Sequence, residues 1–317
     1  MIKVVRLLGA MVFPALLWLA PAVARTQGAA SAATVPVSTT VTVMGPKFTA
    51  PPAISKEDVT VYDGKTRLNI TKWIAVQGSG AALQLAIVID NSASELGVGS
   101  QLRELASFIN SQSSDTAVGI FYAVNGTVEV ASPFSTDHGA VVKTLRPPLG
   151  LRAGDSPSVY LSLSDLVKHH WTSSAGRREV LLVSNGVDRL DPGPQSPYAR
   201  EAIEDMQRAG VVVHTIDTGT SLRFGASLHG EYAQSNLEEL TSGSGGFGFF
   251  EGVSAPVSFA PFLEQLNQVL QNQYVLTFLA PASEKEKGEL REIEVRIEER
   301  NLEIKYPKQV LVPAEPQ

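Results

Sequence analysis

The chain has 317 residues, 44% of them hydrophobic and 18% charged, with a formal charge of -6 and no cysteine. That length corresponds to roughly two domains, and the composition is that of a globular protein rather than a disordered or fibrous one. Mild acidity without a Lys/Arg block speaks against nucleic acid or anionic membrane as partner, and the missing cysteines exclude disulfides and a cysteine-linked lipid anchor.

In chain order, Lys3 and Arg6 precede an apolar run from Leu7 to Ala24 that closes on Ala22-Val23-Ala24, a small-x-small cleavage pattern. Residues 1–24 read as a secretory signal peptide. The competing reading is an uncleaved anchor. The run sits at the lower length limit for a span, and Pro14 and Pro21 interrupt it. Export to the periplasm, cell surface or medium is the expectation, with no later apolar run long enough to span a membrane. Residues 25–34 read as a flexible linker. Residues 35–79 form an N-terminal β segment, with Asp63-Gly64 as a hairpin turn between two alternating runs.

From residue 80 to 273 the rhythm is strand, helix, strand. Leu83–Asp90, 179–187 and 211–219 are apolar runs of the kind expected for strands covered on both faces. Leu102, Leu105, Ala106 and Ile109 fall on one helical face. The runs 117–124 and 127–134 pair across Asn125-Gly126. Further helices carry Val159, Leu163, Leu166 and Val167, then Ala199, Ala202, Ile203 and Met206, then a short one over 236–244, and last Phe259, Phe262, Leu263, Leu266 and Leu270. This alternation implies an α/β fold: a Rossmann-like, doubly wound, mostly parallel sheet. Residues 274–317 return to β rhythm, with Ile293, Val295 and Ile297 alternating with charges. They are expected to pair with the N-terminal segment as a small β module.

The stretch "IVIDNSAS" runs from a buried strand into Asp90, Ser92 and Ser94, in the pattern D-x-S-x-S. Asp, Asn and Ser favour turns because they bond their own backbone. The same oxygens suit a hard divalent cation. Ligand sites of such sheets lie beyond the carboxyl ends of the strands. Asp90 and Asn185 both occupy such ends and should face one crevice, which favours a site.

These residues resemble the von Willebrand factor type A (vWA) family, whose metal-ion-dependent adhesion site (MIDAS) uses D-x-S-x-S. Four stretches resemble the secreted bacterial VWFA-related group first described from Acidobacteria: "ISKEDVTVYDGK", "TIDTG", "LEELTSGSGGFGFF" and "LNQVLQNQYVLTFLAP". The likeness covers about residues 35–312. It implies a Mg²⁺ or Mn²⁺ site with hydroxyls from Ser92 and Ser94, a water held by Asp90, and a protein partner whose Asp or Glu completes the metal shell. Two departures mark the site as degenerate. The family's loop Thr falls near Pro157, leaving Ser156 or Ser158 to supply a hydroxyl. The family's Asp-Gly pair is replaced by Asn185-Gly186, a neutral amide that neutralises less cation charge.

The remaining candidates read as structural. His169-His170 resembles an exposed cationic helix end, His214 a core histidine, Asp217 a turn residue, and "TSGSGG" (241–246) a flexible loop. No G-x-S-x-G, G-x-x-x-x-G-K-S/T or strand-to-helix G-x-G-x-x-G motif is present. The expectation is an exported protein-binding module rather than an enzyme. The alternative is a metal-independent structural or scaffolding envelope protein.

Overall fold

The computed structural model describes residues 33–76, 82–93, 98–171, 176–219, 228–250 and 255–315. The expected signal peptide, all of the linker but its last two residues, and Ser94 lie outside these. Among the described residues no helix is long and apolar enough to cross a membrane.

The chain opens with β1 (Thr34–Met44), β2 (Val59–Asp63) and β3 (Thr66–Ala75), the last two joined in register across Gly64-Lys65. An α/β segment follows: β4 (Leu83–Asp90), α1 (Leu102–Asn110), β5 (Thr116–Val124), β6 (Thr127–Ser135), α2 (His138–Val142) and α3 (Val159–Asp165). It continues through β7 (Arg177–Ser184), α4 (Pro197–Ala209), β8 (Val211–Asp217), α5 (Leu228–Ser244), β9 (Gly248–Phe249) and α6 (Ala260–Gln271). The chain returns to strands in β10 (Gln273–Pro281), β11 (Glu289–Glu292), β12 (Glu294–Ile297), β13 (Glu303–Lys305) and β14 (Gln309–Val312).

The first six-stranded sheet runs β6-β5-β4-β7-β8-β9 and is parallel except for the β5–β6 hairpin. Successive side chains of a strand point to opposite faces, so β4 serves two cores. Leu85, Ile87 and Ile89 pack with Leu105 and Ile109 of α1 and Leu263 and Leu266 of α6. Ala86 and Val88 pack with Leu163 of α3, Met206 of α4 and Leu237 of α5. This double cover is why β4 reads as an almost unbroken apolar run.

The second sheet is antiparallel, in the order β12-β2-β3-β10-β1-β13, with β11 and β14 paired beside it. Its core contains Val41 and Val61 from the beginning of the chain and Phe278, Val295 and Val310 from the end. A buried polar network ties the two sheets together. Arg177 Nη1 donates to Leu270 O at 2.9 Å, to Gln273 Oε1 and to Glu179 Oε1 at 3.4 Å. Gln273 Nε2 donates to Glu179 Oε2 and to Thr42 Oγ1 of β1, both at 3.2 Å. His214 accepts from Phe247 N at Nδ1 (3.1 Å), so Nε2 carries the proton and donates to Glu179 Oε2 at 2.8 Å. His214 is thus a core histidine, bonded to a carboxylate as well as to backbone.

Two local expectations are corrected. The "TSGS" of 241–244 belongs to α5, which agrees with the short helix read over 236–244 and overturns the loop reading of 241–246. Thr241 Oγ1 donates to Leu237 O (2.7 Å) and Ser244 Oγ to Thr241 O (3.2 Å), so these hydroxyls bond back into the helix. Gly243 lets α5 approach α4, since a Cβ there would meet Ile203 Cγ2 at 2.9 Å. Second, a π-helical turn over Leu166–His170 follows α3. Adjacent helical residues ordinarily point apart, yet both histidines reach Asp165, His169 Nδ1 at 2.8 Å and His170 Nε2 at 3.5 Å.

Candidate functional site

The chain crosses from one side of β4 to the other between β6 and β7, so β4 and β7 flank the point where the connections diverge. Side chains just past their carboxyl ends share one crevice. Asp90 ends β4, Ser184 ends β7, and Asp217, in register with Ser184, ends β8.

Asp90 is buried and fully engaged. Its Oδ1 accepts from Ser92 N at 2.9 Å and Ser92 Oγ at 2.7 Å, and its Oδ2 accepts from Ser184 Oγ at 2.7 Å. Ser92 is half-buried. Having given its proton to Asp90, its hydroxyl keeps lone pairs for another ligand. The loop is braced from the side. Asn91 Oδ1 accepts from Arg146 Nη1 (2.9 Å) and Leu149 N (3.1 Å). Arg146 in turn lies over the Tyr122 ring, 3.8 Å from its centre, and pairs with Glu129 at 3.1 Å.

Asn185 stands half-buried just past β7, its Oδ1 accepting from Val187 N at 3.0 Å. The two candidate loop hydroxyls separate. Ser156 is exposed, and its backbone N donates to Asn125 Oδ1 at 3.1 Å. Ser158 is buried as the N-cap of α3, and its hydroxyl donates to Asp188 Oδ2 at 3.1 Å. Asp188 also accepts from Ser196 Oγ (3.2 Å) and Leu190 N (2.9 Å), so one carboxylate closes its own loop and fastens it to the start of α3 at this end of the sheet. Burial pushes the Asp188 carboxyl above its ordinary value despite these bonds.

Two further residues belong to this end. Tyr160 is fully buried and donates to Gly186 O at 3.1 Å. Burial, and then the charges of Asp188, Asp90 and Asp217, drive its phenol far above the ordinary value. Asp217 accepts from Gly219 N at 2.8 Å, and burial pushes it up to about 6. Ser184, Asp188 and Tyr160 escaped the sequence reading. Ser184 sits inside an apolar strand run, Asp188 among loop residues, and Tyr160 on an otherwise ordinary helix face. None carries a spacing signal; only the convergence of strand ends joins them.

A divalent cation would meet hydroxyl, amide and carboxylate oxygens here, the hard donors that Mg²⁺ and Mn²⁺ take. Ser92 and Asn185 retain lone pairs, and Asp90 stands behind Ser92. The set is low in charge: among the described residues no three His, Asp or Glu groups converge as metal ligands.

No protein-family model matches the chain, and no curated protein does. Solved structures give weak likenesses. An aerotolerance-related membrane protein from Bacteroides fragilis NCTC 9343 is 14% identical, covering 60% of this chain and 98% of that one, with a TM-score of 0.42. The SpRpn10 VWA domain is 13% identical, covering 59% and 95%, with a TM-score of 0.41. Proximal thread matrix protein 1 from the mussel byssus, solved with a zinc-occupied MIDAS motif, is 14% identical, covering 66% and 49%, with a TM-score of 0.45. Scores of this size carry no argument, and the architecture above rests on the strand pairing itself.

Proposed function

We propose that the chain is an exported, vWA-like protein-binding module whose partner docks over the crevice at the carboxyl ends of β4 and β7. The observation that carries this reading is the placement of Asp90, Ser92, Ser184 and Asn185 around the point where the sheet connections diverge. Leu149, Leu151 and Leu190 support it. All three are exposed; Leu149 N donates to Asn91 Oδ1 beside Asp90, and Leu190 N donates to Asp188 Oδ1 in the loop that follows Asn185. Exposed aliphatic side chains grouped at one end suit a protein interface. In this reading Ser92 and Asn185 would ligate a weakly held Mg²⁺ or Mn²⁺, which an acidic residue of the partner completes. The role assigned is binding rather than catalysis.

Thermal unfolding with Mg²⁺ or Mn²⁺ against EDTA, for wild type and Asp90→Ala, tests the metal reading. A ligand at ~100 times its Kd stabilises by about 2.7 kcal/mol. The expected result is a rise in Tm for wild type alone. No shift in either favours a metal-independent scaffold of the cell envelope, a reading supported by the neutral Asn185 and by the engagement of both Asp90 oxygens with protein donors.

A further inference from the structure

We propose that Asn185 is a site of self-modification: the backbone nitrogen of Gly186 attacks the Asn185 side chain, and deamidation converts residue 185 into a carboxylate at the mouth of the crevice. Packing fixes the first requirement. Gly186 has φ +68°, and a Cβ there would come within 2.5 Å of Leu237 Cγ and 2.8 Å of Ala233 O. No side chain can therefore occupy position 186 without a clash, so the peptide nitrogen that follows Asn185 is a glycine's.

Three hydrogen bonds fix the rest. Val187 N donates to Asn185 Oδ1 at 3.0 Å, turning the side chain back along the following peptide and polarising the carbonyl to be attacked. Gly186 N donates to Ser184 Oγ at 2.9 Å, and Ser184 Oγ donates to Asp90 Oδ2 at 2.7 Å. The attacking nitrogen thus faces a hydroxyl backed by a carboxylate, the arrangement that relays a proton away from a nucleophile. Asn185 is half-buried, so water reaches it.

In the first step Gly186 N bonds to Asn185 Cγ while its proton passes to Ser184 Oγ and the Ser184 proton passes to Asp90. The Cγ–Nδ2 bond then breaks. Nδ2 takes a proton from solvent and leaves as ammonia, Asp90 returns its proton to solvent, and a cyclic imide remains. Water then opens the imide. Cleavage at Cγ gives Asp at 185, and cleavage at the backbone carbonyl gives isoaspartate. The new carboxylate adds a second negative charge beside Asp90 and Ser92 and raises cation affinity there. This consequence rests on the metal reading above; the modification does not.

The chain carries its own control. Asn125-Gly126 is the same dipeptide, but both ends of the Asn125 amide are tied to the facing loop: Oδ1 accepts from Ser156 N and Nδ2 donates to Asp155 Oδ1, both at 3.1 Å. The folded chain is incubated at neutral pH and its peptides are mass-mapped over time, with a denatured sample alongside. Asn185 should convert about 100-fold faster than Asn125 in the folded chain, the low end of general-base assistance, and the two rates should converge on denaturation. Equal rates in the folded chain, or a faster Asn125, overturn the proposal. Ser184→Ala, confirmed as folded by circular dichroism, should slow Asn185 alone, and an unchanged rate overturns the relay. If that variant does not fold, the wild-type comparison decides. Titration of Asn185→Asp with Mg²⁺ should show binding about tenfold tighter than wild type. Equal Mg²⁺ affinity with fast deamidation overturns the metal consequence and leaves the modification standing. Binding by neither form removes the metal reading instead.

Discussion

Strands β7 and β8 carry two buried polar clusters built on opposite terms. Toward their beginnings, Arg177 and Glu179 bury charge against charge, His214 Nε2 donates to the same carboxylate, and the cluster locks onto Gln273 and Thr42 of the second sheet. At their ends, Ser184 donates to Asp90, Asp217 accepts from Gly219 N, and the adjoining Ser92 and Asn185 are half-buried. A buried charge whose partners are all protein has no capacity left for a ligand, and it acts as a fastener. A carboxylate screened by hydroxyls at a strand end keeps neighbours with free lone pairs. That contrast separates joint from site, although both consist of similar residues in the same strands.

The joint should give the largest effect. Glu179→Ala leaves the Arg177 cation and the His214 Nε2–H inside the protein without their carboxylate. A loss of about 3–5 kcal/mol is expected, the usual cost of breaking a buried pair from one side. Denaturant unfolding of the variant measures it, and a loss under about 1 kcal/mol, the scale of an exposed pair, would make this cluster no different from a surface one.

The two clusters should also answer pH with opposite signs. At Glu179 burial raises the carboxyl pKa, but the His214 hydrogen bond, the Arg177 charge and the Gln273 hydrogen bond together hold it below the ordinary value. Its contribution is present above pH ~4.3 and lost as pH falls through the lowered value. Asp217, raised to about 6 by burial, does the reverse. Its contribution is present below pH ~3.9 and lost as pH rises through 6. Asp217→Asn removes that loss and keeps an oxygen for Gly219 N. It should stabilise the protein at pH 7 by about 2–3 kcal/mol relative to wild type, with little difference at pH 4. Unfolding midpoints at the two pH values check this, and parallel curves would place Asp217 in water rather than in the crevice floor.

The smallest effect concerns the brace beside Asp90. Asn91→Ala removes the acceptor shared by Arg146 and Leu149 N, at an expected cost of about 1–2 kcal/mol. Faster proteolysis in the loop around Leu149, with the rest of the chain unaffected, would tie the cost to the crevice. Uniform sensitivity would not.

Much of the architecture was legible because periodicity reports burial. The unbroken apolar run of β4, the one-sided face of α1 and the alternation around Val295 each state which faces are covered. The misreadings have local causes. The Gly-rich "TSGSGG" looks like a loop until its first hydroxyls find helix carbonyls, and the helix end at His169-His170 looks merely exposed until a π-turn brings both rings to Asp165. At the site, Asp90 and Asn185 were legible as strand-end residues, while Ser156 and Ser158 could not be told apart by spacing. The fold turns Ser158 inward to Asp188 and leaves Ser156 exposed.

The sequence by itself determined β4, β7 and β8, the helices with one apolar face, the strand-end position of Asp90 and the glycine that follows Asn185, since each depends on residues near in the chain. Tertiary structure alone decided that Ser184 hydrogen-bonds Asp90 across 94 residues and that Asp188 gathers Ser158 and Ser196. It alone decided that Gln273 closes the joint around Glu179. The reason is that hydrogen bonds and desolvation depend on distances of about 3 Å between groups remote in sequence, which no local pattern encodes.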